Sequence, residues 1–285
     1  MIHRKLFLFF AGILVTLSVA DTAYIKQTET LAAKAGPAVV SIKQTGQQFE
    51  LIRNGKPYFI NGAGGSKHMG KLVEAGGNSI RTWSASRQTL DAAHEKGLTV
   101  CMGLSMHKPR HGADYSDANL LKEQRDRILD EVMETKDHPA LLMWGVGNEV
   151  DDFVSEEIRI LVWKEIEKIA RMIKEIDKNH PVINVTAEGW SLTGLKRYCP
   201  SLDAVGINSY GTLGKMPAEI RRHGWEKPYI VTEFGPRGWW EAKQTAWGLP
   251  IEETSTEKAQ FYKEAYEAAI GNKPNCLGSY VFLWG

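Results

Sequence analysis

Two glutamates in this 285-residue sequence stand where apolar strands are expected to end. Glu149 follows the run ALLMWGVGN and has the amide Asn148 beside it, whereas Glu233 interrupts the run YIVTEF. A glutamate buried without a partner is costly, which makes a purely structural Glu233 hard to explain. Two facing carboxylates suit cleavage of a glycosidic bond, in which one protonates the leaving oxygen and the other, about 5 Å away, attacks the anomeric carbon.

Further polar and aromatic residues stand at corresponding positions, at the ends of other apolar runs. They are Arg81, Trp83, His107, Glu188, Trp190, Asn208, Tyr210 and Trp284. Trp239, Trp240 and Trp247 come together in a long segment after Glu233. Aromatic faces can stack on sugar rings, and long loops in compact domains are often functional. We therefore predict that nine of these residues contact the substrate: Arg81, Trp83, His107, Asn148, Trp190, Asn208, Tyr210, Trp240 and Trp284.

The elements that must position these residues alternate between strand and helix. Eight runs are predicted as strands: PYFINGAGG, NSIRTWS, LTVCMGLSM, ALLMWGVGN, PVINVTAEG, LDAVGINSYG, KPYIVTEFG and CLGSYVFLWG. Helical patterns fill nearly every gap between them. This alternation predicts an α/β fold, a (β/α)8 TIM barrel rather than an open doubly wound sheet. Because active sites of such barrels lie at the carboxyl ends of the strands, the residues above would meet on one rim.

The regions flanking the barrel carry their own predictions. Residues 39–56 are predicted to form a short hairpin before the first barrel strand. The eighth helix is apparently lacking after the last strand, and residues 21–38 could form a helix that covers the exposed apolar surface. Unchanged thermal stability after deletion of residues 21–36 would contradict that cover. Residues 39–285 are predicted to be a single catalytic domain.

Several of these residues also have explanations that need no chemistry. Asp151 and Asp152, behind Glu149, are predicted to lie in a solvated loop, and Glu149 itself could begin such an acidic turn. Glu188 is a rival carboxylate, but its neighbour Gly189 favours a solvated turn. Arg81 could pair with a surface acid, Tyr210 and Trp284 could belong to the core, and the loop tryptophans could simply pack the loop down.

Two other patterns resemble ligand sites and are rejected. Residues 65–71, GSKHMGK, match a phosphate-binding loop up to the lysine, but Leu72 stands where a magnesium-binding Ser or Thr is needed. His107, His111 and Asp114 have a spacing that could hold a metal, yet Lys108 and Arg110 beside them disfavour a cation. No cofactor and no metal are therefore predicted.

Composition and the amino terminus bear on partners and location. Lys and Arg number 35 against 34 Asp and Glu, so no basic surface indicates nucleic acid. Residues 1–20 combine a basic start, a short apolar stretch and small residues, which predicts a signal peptide and a secreted or periplasmic protein with no membrane contact after cleavage. An uncleaved anchor is the alternative. The three cysteines have no CxxC spacing and indicate neither a zinc site nor a disulfide framework.

With these residues in view, the chain resembles the catalytic barrel of clan A glycoside hydrolases, most closely family 2, with family 5 as a neighbour. The segments that carry the resemblance are NGKPYFINGAGG, GGNSIRTW, HPALLMWGVGNEV, GINSYG and KPYIVTEFG. The resemblance implies that Glu149 is the acid/base, Glu233 the nucleophile and Asn148 a contact to the sugar 2-hydroxyl. It also implies that Arg81 and Tyr210 position the nucleophile and that Trp284 forms the floor of the subsite for the cleaved sugar.

The implied activity is retaining hydrolysis of a β-linked oligo- or polysaccharide, gluco- or manno-configured by analogy with the family. In that mechanism Arg81 would keep Glu233 ionised, and the charge of Glu233 together with partial burial would keep Glu149 protonated near neutral pH. A transglycosylase of the same fold and a non-catalytic carbohydrate-binding barrel stay open as alternatives. Family 2 enzymes usually carry sandwich domains before the barrel, and none fits into the residues present.

Overall fold

The computed structural model describes residues 36–284. The predicted signal peptide and nearly all of the segment 21–38 lie outside this range. Within it there are eleven strands, β1 to β11: Val40–Thr45, Gln48–Arg53, Lys56–Tyr58, Ile60–Gly64, Ser79–Arg81, Thr99–Leu104, Leu141–Asn148, Val182–Ala187, Ala204–Asn208, Tyr229–Phe234 and Cys276–Val281. The seven described α-helices, α1 to α7, are Met69–Glu74, Arg87–Glu95, Ala118–Thr135, Glu156–Ile176, Leu192–Tyr198, Met216–Arg222 and Ser255–Ala269.

Strands β4 to β11 form a closed barrel in which every neighbouring pair is parallel and β11 pairs with β4. Each strand from β4 to β10 is followed by a helix, and no helix follows β11 within residues 36–284. The (β/α)8 barrel expected from the alternation of strands and helices is therefore confirmed. The open doubly wound sheet was the wrong alternative, because all eight strands find a partner on both edges.

The predicted hairpin before the barrel is a small antiparallel sheet, β1-β2-β3. Val40 and Leu51 of this sheet belong to one apolar cluster with Ile60, Met143 and Leu277 from the barrel strands. The backbone N–H of Val40 also donates to the carbonyl of Asn179, just before β8 begins (2.7 Å). The sheet thus covers the amino end of the barrel and leaves the carboxyl end open.

The helices bury one face each against the outside of the barrel. Helix α4 shows the reason most clearly, since Val162, Ile166, Ile169 and Ile173 recur at helical spacing and are all buried. Helix α7 begins with a capping box, in which Thr254 and Glu257 bond each other's backbone N–H groups. Within residues 36–284, no helix is both long and apolar enough to cross a membrane.

Candidate active site

Glu149 and Glu233 both follow an irregularity in strand pairing. One extra residue, Gly147, lies between the Val146 and Asn148 positions that pair with β8, and Thr232 is the extra residue where β10 pairs with β9. Such bulges bend a strand and redirect the side chains that follow. Gly147 has φ +71°, and an added Cβ would lie 2.7 Å from Val150, so glycine is required there.

Glu233 is buried and held by three donors from two different strand ends. Its Oε1 accepts from Arg81 Nη1 at 2.8 Å and from Trp83 Nε1 at 3.1 Å. Its Oε2 accepts from the Tyr210 hydroxyl at 2.9 Å. Arg81 is only 2% exposed and also donates to the carbonyl of Thr232 at 3.1 Å. The carboxylate therefore has a fixed orientation and a buried counter-charge.

A polar network connects this carboxylate to Glu149. Asn148 Oδ1 accepts from Arg81 Nη2 at 2.5 Å and from Asn208 Nδ2 at 3.2 Å. The same Asn208 amide donates to Glu149 Oε1 at 2.8 Å, and Asn208 Oδ1 accepts from Thr232 Oγ1 at 2.8 Å. Two predicted substrate-binding residues, Asn148 and Asn208, thus lie between the two glutamates.

Glu149 is held less tightly than Glu233. Asn208 supplies its one close donor among the described residues, and the Arg110 guanidinium is 4.0 Å from its Oε2. Its side chain is 22% exposed. The residue has φ +50°, a left-handed conformation that is unfavourable for a side-chain-bearing residue and that concentrates at functional sites.

Aromatic rings surround the Glu233 carboxylate. The Tyr210 ring makes edge contacts with Trp240 (5.5 Å between ring centroids) and Phe282 (6.0 Å), and Phe282 makes one with Trp83 (5.9 Å). Burial and the negative charge of Glu233 raise the pKa of the Tyr210 hydroxyl, which therefore stays protonated as a donor. Trp284, on the same rim, is half-buried, and its backbone N–H donates to the carbonyl of Gly64 at 3.0 Å.

A cavity of about 180 Å³ opens at this end of the barrel. Its polar lining includes Arg81, Asn148 and Lys108. Gly103 and Gly145 line its interior, and an added Cβ on Gly103 would lie 2.4 Å from the carbonyl oxygen of Thr82. Small residues on the inner strands therefore leave room for one small ligand group beside Arg81 and Asn148.

Two predicted substrate-binding residues lie away from this centre. The His107 side chain is exposed and lines a different cavity, together with His111 and Leu120. Trp190 is 37% exposed, and its ring packs against the Arg159 guanidinium at 4.5 Å. Neither side chain contacts Glu149 or Glu233 in the described part of the chain, and their roles stay predictions.

The predicted solvated loop behind Glu149 is wrong, because Asp151 and Asp152 are only 2% and 4% exposed. Asp151 Oδ2 accepts from Trp163 Nε1 and from the Ser191 hydroxyl, both at 2.7 Å. Asp151 thereby ties the loop after β7 to α4 and to the loop after β8. Both donors are distant in sequence, so the local pattern could not indicate them.

The predicted solvated turn at Glu188 is also wrong. Its Oε2 accepts from the hydroxyls of Ser209 (3.0 Å) and Thr212 (2.6 Å). Burial raises the pKa of the Glu188 carboxyl above its usual range, against the effect of these two donors. The side chain braces the loop after β9, which carries Tyr210.

Four residues near the glutamates were not predicted to belong to the site. They are Lys108, Arg110, Thr232 and Phe282. Lys108 and Arg110 entered the sequence argument only as reasons to reject a metal, although their place directly after a strand end was a usable signal. Among residues 36–284, no group of three or more His, Cys, Asp or Glu side chains is arranged to hold a metal ion.

A family model described as "Glycosyl hydrolases family 2, TIM barrel domain" matches residues 89–240, just over half of the chain. The β-glucuronidase of Paenibacillus borealis is 23% identical in an alignment 181 residues long that covers 55% of this chain and 29% of that protein. The β-glucuronidase of Chlorocebus aethiops is 25% identical in an alignment 223 residues long that covers 65% of this chain and 32% of that protein. The match thus spans about a third of the length of these relatives.

Solved structures share the fold. The β-D-glucuronidase of Dictyoglomus thermophilum superposes with a TM-score of 0.63 at 19% identity, over 86% of this chain and 46% of that one. A β-galacturonidase from Eisenbergiella tayi, bound to galacturonate, gives 0.63 at 19% identity over 87% of this chain and 46% of that one. At such identities the likeness concerns the barrel alone.

Proposed function

This chain belongs to glycoside hydrolase family 2, and from that premise we propose that it is a retaining hydrolase of β-linked glycosides. The observation that carries the proposal is the pair of glutamates at the ends of the fourth and seventh barrel strands, joined by one polar network. Hydrolysis with retention needs one carboxylate that remains ionised and one that exchanges a proton. The surroundings of the two glutamates suit these two tasks, because Glu233 accepts three hydrogen bonds and Glu149 only one.

Glu233 is the proposed nucleophile. Donors from Arg81, Trp83 and Tyr210 stabilise the carboxylate and leave it little rotational freedom. In the first step a Glu233 oxygen bonds to the anomeric carbon of the sugar while the bond from that carbon to the glycosidic oxygen breaks. The leaving oxygen takes its proton from Glu149, so no alkoxide is released.

Glu149 is the proposed acid/base. After the first step it is ionised, and it removes a proton from a water molecule that attacks the anomeric carbon. The ester bond to Glu233 then breaks, which returns both carboxyl groups to their starting states. Its partial exposure and single close donor suit a group that gains and loses a proton in each turnover.

Asn148 has the geometry of a sugar-binding amide. Its oxygen already accepts from Arg81 and Asn208, so the Nδ2 group, which has no partner among the described residues, is left to donate. We assign it to a sugar hydroxyl next to the anomeric carbon, as the resemblance implies for the 2-hydroxyl. Trp83, Trp284 and Trp240 would supply apolar faces around the ring.

The sugar itself is proposed to be either a neutral gluco- or manno-configured unit or a uronic acid. Lys108 favours the second, because its ammonium group lines the cavity and has no hydrogen-bond or ion-pair partner among the described residues. Burial and the nearby Arg110 lower the pKa of the Lys108 ammonium, which a substrate carboxylate would relieve. The names of the glucuronidase and galacturonidase relatives point in the same direction.

Transglycosylation is the second candidate. Trp239, Trp240 and Trp247 are 73%, 59% and 75% exposed, and Trp240 contacts the ring of Tyr210. Exposed indole faces beside the nucleophile could hold an acceptor sugar that competes with water for the glycosyl-enzyme. A binding barrel without activity is the outcome against which both candidates are tested.

The test is incubation of the full chain with a panel of 4-nitrophenyl β-glycosides, neutral and uronic, and with β-glucan, β-mannan and acidic β-oligosaccharides. Release of 4-nitrophenol or reducing ends, with the β-anomer seen first by proton NMR, supports retaining hydrolysis. Longer products support transglycosylation. Binding without product, or equal product from Glu233→Gln as matched control, contradicts both. Lys108→Met should weaken turnover of uronides only.

We also propose that the protein acts outside the cytoplasm, on the ground of residues 1–20. Expression of the full chain in a bacterium, followed by fractionation and amino-terminal sequencing, tests this. A mature chain that begins near Asp21 in the exported fraction is expected, and an intact Met1 in the cytosol would contradict it.

A further inference from the structure

Asp152 lies three residues beyond Glu149 and is buried although no reaction step uses it. Its Oδ2 is 3.4 Å from Arg110 Nη1, and its Oδ1 is buried with no hydrogen-bond partner among the described residues. A carboxylate that is buried with one oxygen unsatisfied costs free energy. Such a cost indicates that Asp152 has a role towards a neighbouring group.

Arg110 is the link between the two carboxyl groups. Its Nη1 approaches Asp152 at 3.4 Å and its Nη2 approaches Glu149 at 4.0 Å. The guanidinium also faces the ring of Phe153 at 5.8 Å, and Phe153 is itself held at φ +57°. One cation is thus shared unequally between two acids, with the shorter contact to Asp152.

The charged groups around Asp152 determine its protonation state. Asp152 faces Glu149 and Asp151 from its own loop, and Arg110 and Lys108 from the loop after β6. Asp151 is already satisfied by Trp163 and Ser191. Glu149 also lies within electrostatic reach of Glu188, Lys108 and Tyr210 on neighbouring strand ends.

We propose that Asp152 is a positioning residue that draws Arg110 away from Glu149 and thereby keeps Glu149 able to hold the proton it must donate. The inference rests on the proposed role of Glu149 as acid/base. An arginine paired fully with Glu149 would hold that group as an ion and disable the first step. An ionised Asp152 opposes ionisation of Glu149 in two ways. It competes for the Arg110 guanidinium, and it places a second negative charge near Glu149.

The protonation of Asp152 itself is consistent with this role. Burial, with the negative charges of Glu149 and Asp151, raises the pKa of the Asp152 carboxyl to about 7, although Arg110 and Lys108 oppose the rise. Asp152 is therefore largely ionised above neutral pH, where its negative charge most strongly disfavours an ion at Glu149. Below neutral pH this influence fades, because Asp152 itself takes up a proton and loses its charge.

The first test does not require turnover. In the full chain labelled with 13C at glutamate side-chain carboxyls, the Glu149 signal is identified by its loss in Glu149→Gln. Asp152→Asn should lower the titration midpoint of that signal by about one pH unit, and Arg110→Met should raise it. Asp126→Asn, which removes an exposed acid on α3, should leave it in place. If Asp152→Asn fails to fold, Asp152→Ser replaces it, with the same lowering expected.

The second test uses the alkaline limb of kcat/KM for an alkyl β-glycoside of the preferred sugar, which reports the free enzyme's acid. Asp152→Asn should shift the limb to lower pH, with roughly a tenfold loss above it, Arg110→Met should shift it upward, and the double variant should fall between them. Damage to the fold would not produce shifts of opposite sign. A limb and a midpoint that stay in place, or that move the same way in both variants, overturn the inference. Absence of any turnover would defeat the proposed function and leave the NMR test to decide this one.

Discussion

The ends of β7 and β10 carry the same carboxyl group in different surroundings. Glu233 at β10 is 6% exposed and accepts hydrogen bonds from Arg81, Trp83 and Tyr210. Glu149 beyond β7 is more exposed, has one close donor in Asn208 and shares a cation with Asp152. The surroundings of Glu233 thus hold its carboxyl group firmly, whereas those of Glu149 pair its carboxyl group only weakly.

This difference matches the demands of the proposed mechanism. A nucleophile should remain ionised and oriented throughout, so strong donors help it. An acid/base must change protonation state twice in each turnover, so strong fixed pairing would hinder it.

Removal of the Glu233 carboxylate should have the largest effect on turnover. Glu233→Gln keeps the shape of the side chain but cannot form the ester, so kcat should fall by about 10⁴-fold or more for every leaving group. The measurement is kcat on 4-nitrophenyl and alkyl β-glycosides, with the melting temperature followed because Arg81 loses its counter-charge. Residual turnover above one percent in a folded variant would contradict the assignment.

Removal of the Glu149 carboxyl group should have an effect that depends on the leaving group of the substrate. Glu149→Ala should reduce kcat/KM by about 10²–10⁴-fold for alkyl leaving groups, which need protonation, and far less for 4-nitrophenolate, which does not. Added azide should partly restore turnover and yield a β-glycosyl azide, because a small anion needs no general base. Equal losses on both substrate classes would count against the acid role.

Removal of one hydrogen-bond donor to Glu233 should have an intermediate effect on kcat/KM, equal for all leaving groups. Tyr210→Phe deletes one of the three donors to Glu233 while the ring contacts with Trp240 and Phe282 remain. Loss of one charge-assisted hydrogen bond corresponds to about 10–100-fold in kcat/KM. The ratio between alkyl and 4-nitrophenyl substrates should stay constant. A change in that ratio would place Tyr210 with Glu149 instead.

The smallest effect should be on stability and should depend on pH. The pKa of Asp152 is raised to about 7 in the folded chain from an ordinary 3.8, so between these values the folded state binds the extra proton and stability falls as pH rises. Asp152→Asn removes that loss and should raise the melting temperature by about 2–4 °C at pH 8 but not at pH 4. Calorimetry at both pH values measures it, with Asp126→Asn as control. A gain of equal size at pH 4 would show that titration is not the cause.

The strand order and the two glutamates could be predicted because each rests on a local pattern. ALLMWGVGN and YIVTEF are apolar runs broken by a polar residue, and the position of a strand in a parallel barrel follows from counting. Arg81, Asn208 and Tyr210 were reached by the same argument, since each follows a strand end. Their meeting requires only that the barrel closes.

Other parts of the site depend on contacts between distant segments. Asp151 and Asp152 look like a solvated turn in sequence, but Trp163, Ser191 and Arg110 come from a helix and two other loops to satisfy or pair with them. In the loop after β6, the pattern favoured the side chain of His107, whereas Lys108 and Arg110 are the residues that face the glutamates. The path of an irregular loop has no period from which a direction could be derived.

The amino-acid sequence by itself determined the barrel, the order of its strands and the two glutamates at the ends of its fourth and seventh strands, because periodicity and burial cost are local properties of the chain. Only the tertiary structure showed how differently the two carboxyl groups are held, Glu233 by three donors and Glu149 by one. That distinction arises from donors and charges brought together from separate strand ends, and electrostatic interactions depend on distances in space rather than on separation along the chain.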